Sequence, residues 1–564
     1  MKFSSPHHLR RHKLTATLLA SVLFAGPAMA ALDDAKAILQ VLLKKGIITQ
    51  KDHDTTLEEW SSKPSESTPP VEFVQDALGV KAKDVQKAVE YTQKDEKNGS
   101  VKPSGFGWVS ADGQNSINLT GMVQYDARIF DNGLTDSQDK DSASGADTFE
   151  VRRARIGING TLWKNVDFEV LTNLVGSTTN IVHRAYINYN YNPSAQIRVG
   201  RFKQPFSLEE QTSANAIDFM ERSYGNQMVA AQRNGAMVFG SPTNGLTYAV
   251  SVYQDGFNEL SNTNQLGTLG IGRVTANLAE LSGNSSNTVI HLGAGLDKGT
   301  YEVTPATSTD TGNAAASGTT RGTILSFRSE NRGIANAYRA QVLGDTVTNG
   351  YGVSANNNAN ISKNLNGLEL ALATGGLKFQ SEYFNNTYSV SGTSCPIASS
   401  TCTYPRFDLK AKAIYYEFMY NLTGESWANS YRSGAFTSIK PKANFSTSAN
   451  GGWGAWQLGL RFSQYAVTEP SYFSSSGTNF GINARSNTTV TSTASLQSRG
   501  ENSTNANTVT YGLNWILNPN SRILFNYSDT RFATAVGYLT TYYPYTLGTT
   551  SREQAVSVRT QLNF

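Results

Sequence analysis

The chain has 564 residues, of which only 16% are charged and 10% are aromatic. The charged share is lower than the roughly 25% of typical soluble domains, and past the N-terminus no continuous apolar run approaches ~18 residues, so no helical membrane span is expected. Four basic residues among the first 30 account for the net charge of +4, because removing them from the 48 basic residues leaves 44 against 44 acidic residues. Bulk charge therefore indicates nothing about partners, and we expect no nucleic-acid partner.

The N-terminus has the pattern of a secretory signal peptide. Arg10, Arg11 and Lys13 precede an apolar run over residues 14–27, and Ala28-Met29-Ala30 is a small-x-small cleavage pattern. Such a segment is removed on export and takes no part in the fold. We therefore expect residues 1–30 to be a cleaved signal peptide and the rest of the chain to leave the cytoplasm.

Residues 31–100 have a helical pattern. Apolar residues recur at helical spacing from Ala35 to Leu42, and Gly46 suits the position just past a helix. A polar linker that contains prolines follows over residues 61–70. The sequence predicts a small helical periplasmic segment with its linker, and a poorly ordered tether is the open alternative.

From about residue 115 the period of the apolar pattern becomes two. Val509, Tyr511 and Leu513, for example, alternate with Thr510 and Gly512. An apolar face opposite a polar face is typical of a strand with lipid outside and water inside. We predict sixteen strands, an even number as bacterial barrels require, and leave about 14 or 18 open. The predicted strands cover residues 116–126, 149–159, 165–174, 181–190, 195–202, 235–240, 246–254, 267–276, 287–294, 366–373, 377–386, 408–421, 454–465, 507–516, 521–530 and 554–564.

The predicted fold class is all-β, a 16-stranded antiparallel transmembrane β-barrel over residues 101–564 in the outer membrane of a Gram-negative cell. Trp163-Lys164-Asn165 and Asn518-Pro519-Asn520 suit tight periplasmic turns. Long extracellular loops are expected over residues 295–365, 387–407 and 466–506. Cys395 and Cys402 lie in one of these loops, and in an exported protein we expect them to form a local disulfide.

The last strand of the chain carries a signal of its own. Val556, Val558, Leu562 and the terminal Phe564 share one face, whereas Arg559 lies on the polar face. This ending resembles the C-terminal signal of bacterial outer-membrane barrels. It implies contact with outer-membrane lipids and with the barrel assembly machinery through Phe564.

Arginine placement indicates what passes through the barrel. Residues 101–564 contain 23 Arg and 11 Lys, and the planar guanidinium is the better grip for an oxyanion. Between Val151 and Ala154 the alternation shifts by one residue, which predicts a β-bulge that turns Arg152 and Arg153 inward together. The inward arginines are predicted to be Arg128, Arg152, Arg153, Arg155, Arg184 and Arg198. Neutralisation by Glu150, Asp167 and Glu169 is the open alternative.

Residues 205–235 have no period-two pattern. We expect this stretch to fold into the lumen and narrow it, with Lys203, Arg222 and Arg233 as positive groups of the constriction and a short helix over residues 213–224. The alternative is an extracellular loop with surface charges.

Three stretches, residues 149–157, 198–223 and 513–527, resemble the phosphate-selective porin O and P family. The resemblance covers the barrel and not residues 31–100. It implies a homotrimer of 16-stranded porins whose pore carries a ladder of arginines and a constriction that bears lysine.

These patterns predict a passive outer-membrane porin selective for anions, with inorganic phosphate or a related oxyanion as the solute. A general diffusion porin with weak selectivity is the alternative. We expect no enzyme, cofactor or metal, because the exported chain holds only His53, His183 and His291 and lacks hydrolase and metalloprotease motifs.

Overall fold

The computed structural model describes Gln50 and residues 107–131, 147–175, 181–255, 267–303, 323–334, 337–341, 359–391, 406–448, 451–468, 503–538 and 548–564. The chain divides into two units, Met1–Pro103 and Ser104–Phe564, and the fold described below is that of the second unit. The predicted signal peptide, the predicted helical segment apart from Gln50, and both cysteines lie outside the described residues.

One antiparallel sheet of sixteen long strands closes on itself, because the last strand pairs with the first. The strands are β1 (Ser116–Asp131), β2 (Thr148–Leu162), β3 (Val166–Asn173), β4 (Val182–Asn192), β5 (Ala195–Lys203), β6 (Gln232–Thr243), β7 (Leu246–Asp255), β8 (Gly267–Asn277), β9 (Thr288–Val303), β10 (Ala359–Thr374), β11 (Leu377–Ser391), β12 (Arg406–Asn421), β13 (Ala455–Thr468), β14 (Asn505–Asn518), β15 (Ser521–Tyr538) and β16 (Gly548–Asn563). A short strand, Gly107–Val109, also pairs with β1. The predicted 16-stranded barrel is confirmed, and each predicted strand overlaps one of these.

The strands form because their period-two pattern gives each an apolar outer and a polar inner face. On β16, Val556 and Leu562 are 53% and 51% exposed, whereas Arg559 and Gln561 are buried. Apolar groups outside and polar groups inside suit a barrel wall in lipid. Among the residues that the structure describes, no helix has the length and apolar character needed to cross a membrane.

The register between β1 and β2 confirms the predicted bulge. Gln124 pairs with Arg153 and Tyr125 with Val151, so Arg152 is the extra residue. Both arginines reach inward partners, Glu221 for Arg152 and Gln124 for Arg153.

The two ends of the barrel differ. At one end, which we call the turn end, short turns join strands. Trp163 and Lys164 make one such turn in the left-handed region at φ 48° and 69°, as the predicted tight turn requires. Only Pro519 and Asn520 separate β14 from β15. At the opposite end the predicted loop over 295–365 is shorter than expected, because β9 continues to Val303 and β10 already begins at Ala359.

Three segments contact the inner wall of the barrel. The constriction loop (residues 204–231) follows β5. The inner hairpin, formed by Thr323–Phe327 and Tyr338–Gln341, lies between β9 and β10. The turn-end segment (residues 422–448) follows β12 and contains the helical turn Trp427–Ser430 and the short strands Tyr431–Arg432 and Ala435–Phe436.

The predicted helix over residues 213–224 is wrong. The constriction loop is helical only at Leu208–Gln211 and Tyr224–Met228, and the stretch between them forms turns and bends. The reason is that side chains of the wall donate hydrogen bonds to its carbonyl groups, which a helix would use internally. The donor–acceptor pairs are Gln124–Ala214 (3.1 Å), Gln561–Asn215 (3.1 Å), Arg522–Ile217 (2.9 Å), Asn514–Asp218 (2.8 Å) and Arg559–Met220.

The inward segments cover one side of the lumen more than the other. Inner side chains of the covered wall, such as Glu382, Glu417 and Arg461, are 3% exposed or less. Trp427 and Phe436 of the turn-end segment belong to one buried apolar cluster with Phe219 of the constriction loop. The inner side chains of β2 and β4 are only half-buried, so the remaining space lies along that wall.

Candidate functional site

A cavity of about 240 Å³ lies between the constriction loop and the wall strands β1 to β5. Five positive side chains line it: Arg153, Arg155, Arg184, Lys203 and Arg222. Glu210 is the only carboxylate among the described residues of the lining, which also includes His183. This excess of positive charge defines the candidate site.

Neutral partners hold two wall arginines. Arg153 Nη1 donates to Gln124 Oε1 at 2.7 Å, and Arg155 Nε donates to Asn173 Oδ1 at 2.9 Å. An amide oxygen orients a guanidinium without cancelling its charge, so these two cations remain available to an anion. Arg184 differs, because its Nη2 lies 2.7 Å from a carboxylate oxygen of Glu169.

Near the constriction loop, backbone carbonyl groups hold two of the cations. Lys203 Nζ donates to the carbonyl of Glu210 at 2.5 Å. Arg222 donates to the carbonyls of Glu209 at 3.0 Å and Thr212 at 2.8 Å. All three carbonyls belong to the helical turn Leu208–Gln211 and the residue after it, so the folded turn is what brings the cations to the cavity.

Glu210 partly offsets this charge. Its carboxylate accepts a hydrogen bond from Asn226 Nδ2 at 2.8 Å and lies 3.5 Å from Arg222 Nε. Burial raises the pKa of Glu210, but Arg222 and Lys203 outweigh burial and hold it below its ordinary value. The cavity therefore contains one negative charge on the loop side.

A second group of predicted arginines lies in an ion cluster around Glu221 of the constriction loop. Arg152 grips this carboxylate with two hydrogen bonds of 2.8 and 3.1 Å, and Arg128 reaches it at 2.7 Å. Arg559 lies 3.1 Å from Glu221 and 2.6 Å from Asp126, which also pairs with Arg128. These contacts tie the loop to β1, β2 and β16. The two carboxylates offset arginine charge that would otherwise act on a solute.

Burial alone would raise the pKa of Glu221, but Arg152 and Arg128 outweigh it and hold the pKa well below the ordinary glutamate value. Glu221 therefore stays charged and keeps its three arginines. Arg152 and Arg153 are neighbours in sequence, yet only Arg153 lines the cavity.

The last two predicted residues lie elsewhere on the wall. The Arg198 guanidinium lies over the rings of Tyr186 and Phe239, at 4.3 and 4.8 Å from their centroids. Arg233 Nη1 donates to the carbonyl of Gln232 at 3.0 Å. Neither residue is part of the cavity lining.

Sequence reasoning missed most of the buried acids. Arg461, on the inner face of β13, lies 3.3 Å from Glu209 and 2.9 Å from Glu330. Glu382 of β11 accepts the amides of Leu208 and Glu209 at 2.9 and 2.7 Å and so holds the start of the helical turn. The alternation of β11 could have placed Glu382 inward, whereas nothing in the local pattern marks Glu209 or Glu330.

A closed barrel with an apolar outer face, a polar lumen and a loop that narrows it defines an outer-membrane porin. The family described as phosphate-selective porin O and P matches residues 117–564. The chain belongs to this family, as the resemblance of its motifs had implied.

The chain is distantly similar to a named porin and to solved outer-membrane channels. Porin O of Pseudomonas aeruginosa is 23% identical over 403 residues, which cover 65% of this chain and 77% of that protein. Among solved structures, an anion-selective porin from Comamonas acidovorans is 12% identical and covers 80% of this chain and 100% of its own, with a TM-score of 0.41. The outer membrane channel DcaP of Acinetobacter baumannii is 11% identical, covers 82% of this chain and 100% of its own, and has a TM-score of 0.40.

Proposed function

We propose that this porin is a passive channel selective for anions, with phosphate or a related oxyanion as its solute. The observation that carries the proposal is the cavity lining, which brings five positive side chains together with a single carboxylate. A pore wall of one charge sign favours counter-ions of the other sign.

Each cation contributes differently. Arg153 and Arg155 have neutral amide partners, so they offer guanidinium N–H groups that replace part of the hydration of an oxyanion. Lys203 and Arg222 face them from the loop side. An anion can pass from one set to the other without a single deep site, which keeps binding weak enough for release.

Two further observations concern the solute and the selectivity of the channel. The family name specifies phosphate, and the chain belongs to that family. The ion cluster around Glu221 limits selectivity, because Glu221 and Asp126 offset most of the charge of Arg128, Arg152 and Arg559. The cavity, and not the whole lumen, is therefore the part that would discriminate between anions and cations.

The proposal is tested with the purified full chain in a planar bilayer. The reversal potential under a potassium chloride gradient gives the preference for anion or cation, and added phosphate should reduce the chloride current. A preference for cations contradicts the anion assignment. A preference for anions without block by phosphate leaves an anion porin of another solute, and no preference leaves the general diffusion porin.

We also propose that the chain assembles as a homotrimer in the outer membrane and that Phe564 guides its insertion. The terminal residue is well placed for this role, because its amide donates to the Gly121 carbonyl at 3.1 Å and its carbonyl accepts from the Gly121 amide at 2.8 Å. Cross-linking of the purified protein tests the trimer, and assembly kinetics of a chain that lacks Phe564 test the role of that residue. The helical segment over residues 31–100 is proposed to lie in the periplasm.

A further inference from the structure

Lys378 of β11 lies at a junction of three parts of the barrel. Its side chain is fully buried, and its ammonium group contacts the carboxylate of Asp218 and lies 3.2 Å from that of Glu417. The same ammonium lies over the rings of Trp427 and Phe436, at 4.5 and 4.7 Å from their centroids. Two carboxyl groups and two aromatic faces therefore share one cation.

These partners come from separate elements. Asp218 belongs to the constriction loop, Glu417 to the wall strand β12, and both aromatic rings to the turn-end segment. A second contact joins the loop to that segment, because Ser438 Oγ donates to the Asn215 carbonyl at 3.2 Å. Lys378 is thus the charged centre of the contact between the loop and the turn-end segment.

We propose that Lys378 is a positioning residue that couples the turn-end segment to the constriction loop and thereby sets the width of the cavity. The ammonium holds Asp218 by charge and the two rings by cation–π attraction. The inference requires only that the loop narrows the lumen, so it does not depend on which anion passes.

Removing the ammonium has an asymmetric consequence. Asp218 and Glu417 would then be two neighbouring carboxyl groups in a buried place without their shared cation, which is unfavourable for any negative charge that they carry. Glu417 is fixed in the hydrogen-bonded strand β12, whereas Asp218 lies on a loop without strand pairing. The loop is therefore the part that moves, and the cavity that it borders changes with it.

The main test is Lys378→Met in the full chain, recorded as single-channel current. We expect loss of the steady conductance level, with transitions between several levels, because the loop no longer has one position. Lys363→Met is the matched control, since Lys363 is also a buried lysine but its Nζ pairs with Asp297 at 2.7 Å between two wall strands. The control should keep one steady level.

Trp427→Leu tests the coupling itself, because this ring lies in the turn-end segment and does not line the cavity. We expect the same unsteady conductance as for Lys378→Met, and Lys378→Arg should restore the steady level. Each variant is checked for folding by the heat-dependent gel mobility of a folded barrel. If Lys378→Met fails to fold, Asp218→Asn replaces it in the test. A wild-type conductance pattern in Lys378→Met, Asp218→Asn or Trp427→Leu overturns the proposal.

Discussion

Arg152 and Arg153 are adjacent in sequence and differ in what they contact, so they give a direct test of the candidate site. Arg153 lines the cavity and has a neutral amide partner, whereas Arg152 is bound to the carboxylate of Glu221. We predict that Arg153→Gln weakens the block of chloride current by phosphate. Arg152→Gln removes the same charge outside the cavity, and Arg128 and Arg559 still hold Glu221, so the block should stay close to that of the wild type.

The size of the effect follows from charge and distance. An anion about 4 Å from a guanidinium gains ~1 kcal/mol where water screens the pair and ~4 kcal/mol at the effective dielectric constant of about 20 that suits protein surfaces. The cavity is open to water, so the lower value applies. A loss of ~1 kcal/mol raises the half-blocking phosphate concentration by about fivefold.

The assay is a titration of phosphate against chloride current through single channels in a planar bilayer, with both variants measured at equal ionic strength. Arg153→Lys is a further control, because it keeps the charge but loses the planar fork, and its block should lie between those of the wild type and Arg153→Gln. The reasoning is refuted if Arg152→Gln weakens the block as much as Arg153→Gln does.

Three further predictions concern the loop and the ends of the chain. Glu210→Gln removes the only carboxylate among the described residues of the cavity lining, so the reversal potential should shift towards stronger anion preference. An unchanged reversal potential, or a shift towards cations, would contradict the place of Glu210 in the ion path. The pKa of Glu221 is held well below its ordinary value by arginines, so the stabilisation of the loop by this carboxylate is present above a pH of about 4.3 and is lost only as the pH falls through the lowered folded value. Channel noise of the wild type should therefore stay low at pH 4, whereas Glu221→Gln should be noisy at neutral pH. Noise in the wild type already at pH 4 would contradict the role of Glu221 in holding the loop. Gly121→Leu should slow barrel assembly, measured by heat-dependent gel mobility, because a Cβ atom there would lie 2.2 Å from the Phe564 ring, and wild-type assembly kinetics would show that the ring is free to move.

The barrel was predictable because its signal is local. A strand in a membrane wall must alternate apolar and polar residues, so period two identifies each strand without knowledge of its neighbours. Even the bulge at Arg152 could be inferred, because a shift of one residue in the alternation changes the face of every later side chain. Strand ends near the loops were less certain, since outward polar residues extend β9 and β10 past the apolar pattern.

The site was predictable only in part because its charges depend on distant partners. Inward alternation brought Arg128, Arg152 and Arg153 to the lumen, but the carboxylate that the first two both contact is Glu221, which belongs to the constriction loop. The short helix expected in that loop failed for a similar reason, because wall side chains such as Arg522 bind its carbonyl groups. Sequence alone contains no local mark of such contacts.

The turn-end segment illustrates the same limit. Trp427 and Phe436 follow no strand or helix period, so no sequence pattern places them inside the barrel. Their position depends on the lysine and the apolar cluster that they meet there. A connection that long at the turn end is the one signal that could have drawn attention to it.

The central claim is that the cationic lining of the cavity makes this porin selective for anions. The most direct measurement is the reversal potential of the full chain in a planar bilayer under a potassium chloride gradient. We predict a reversal potential whose sign shows that chloride carries more current than potassium. A potential of the opposite sign, or one at zero, would contradict it.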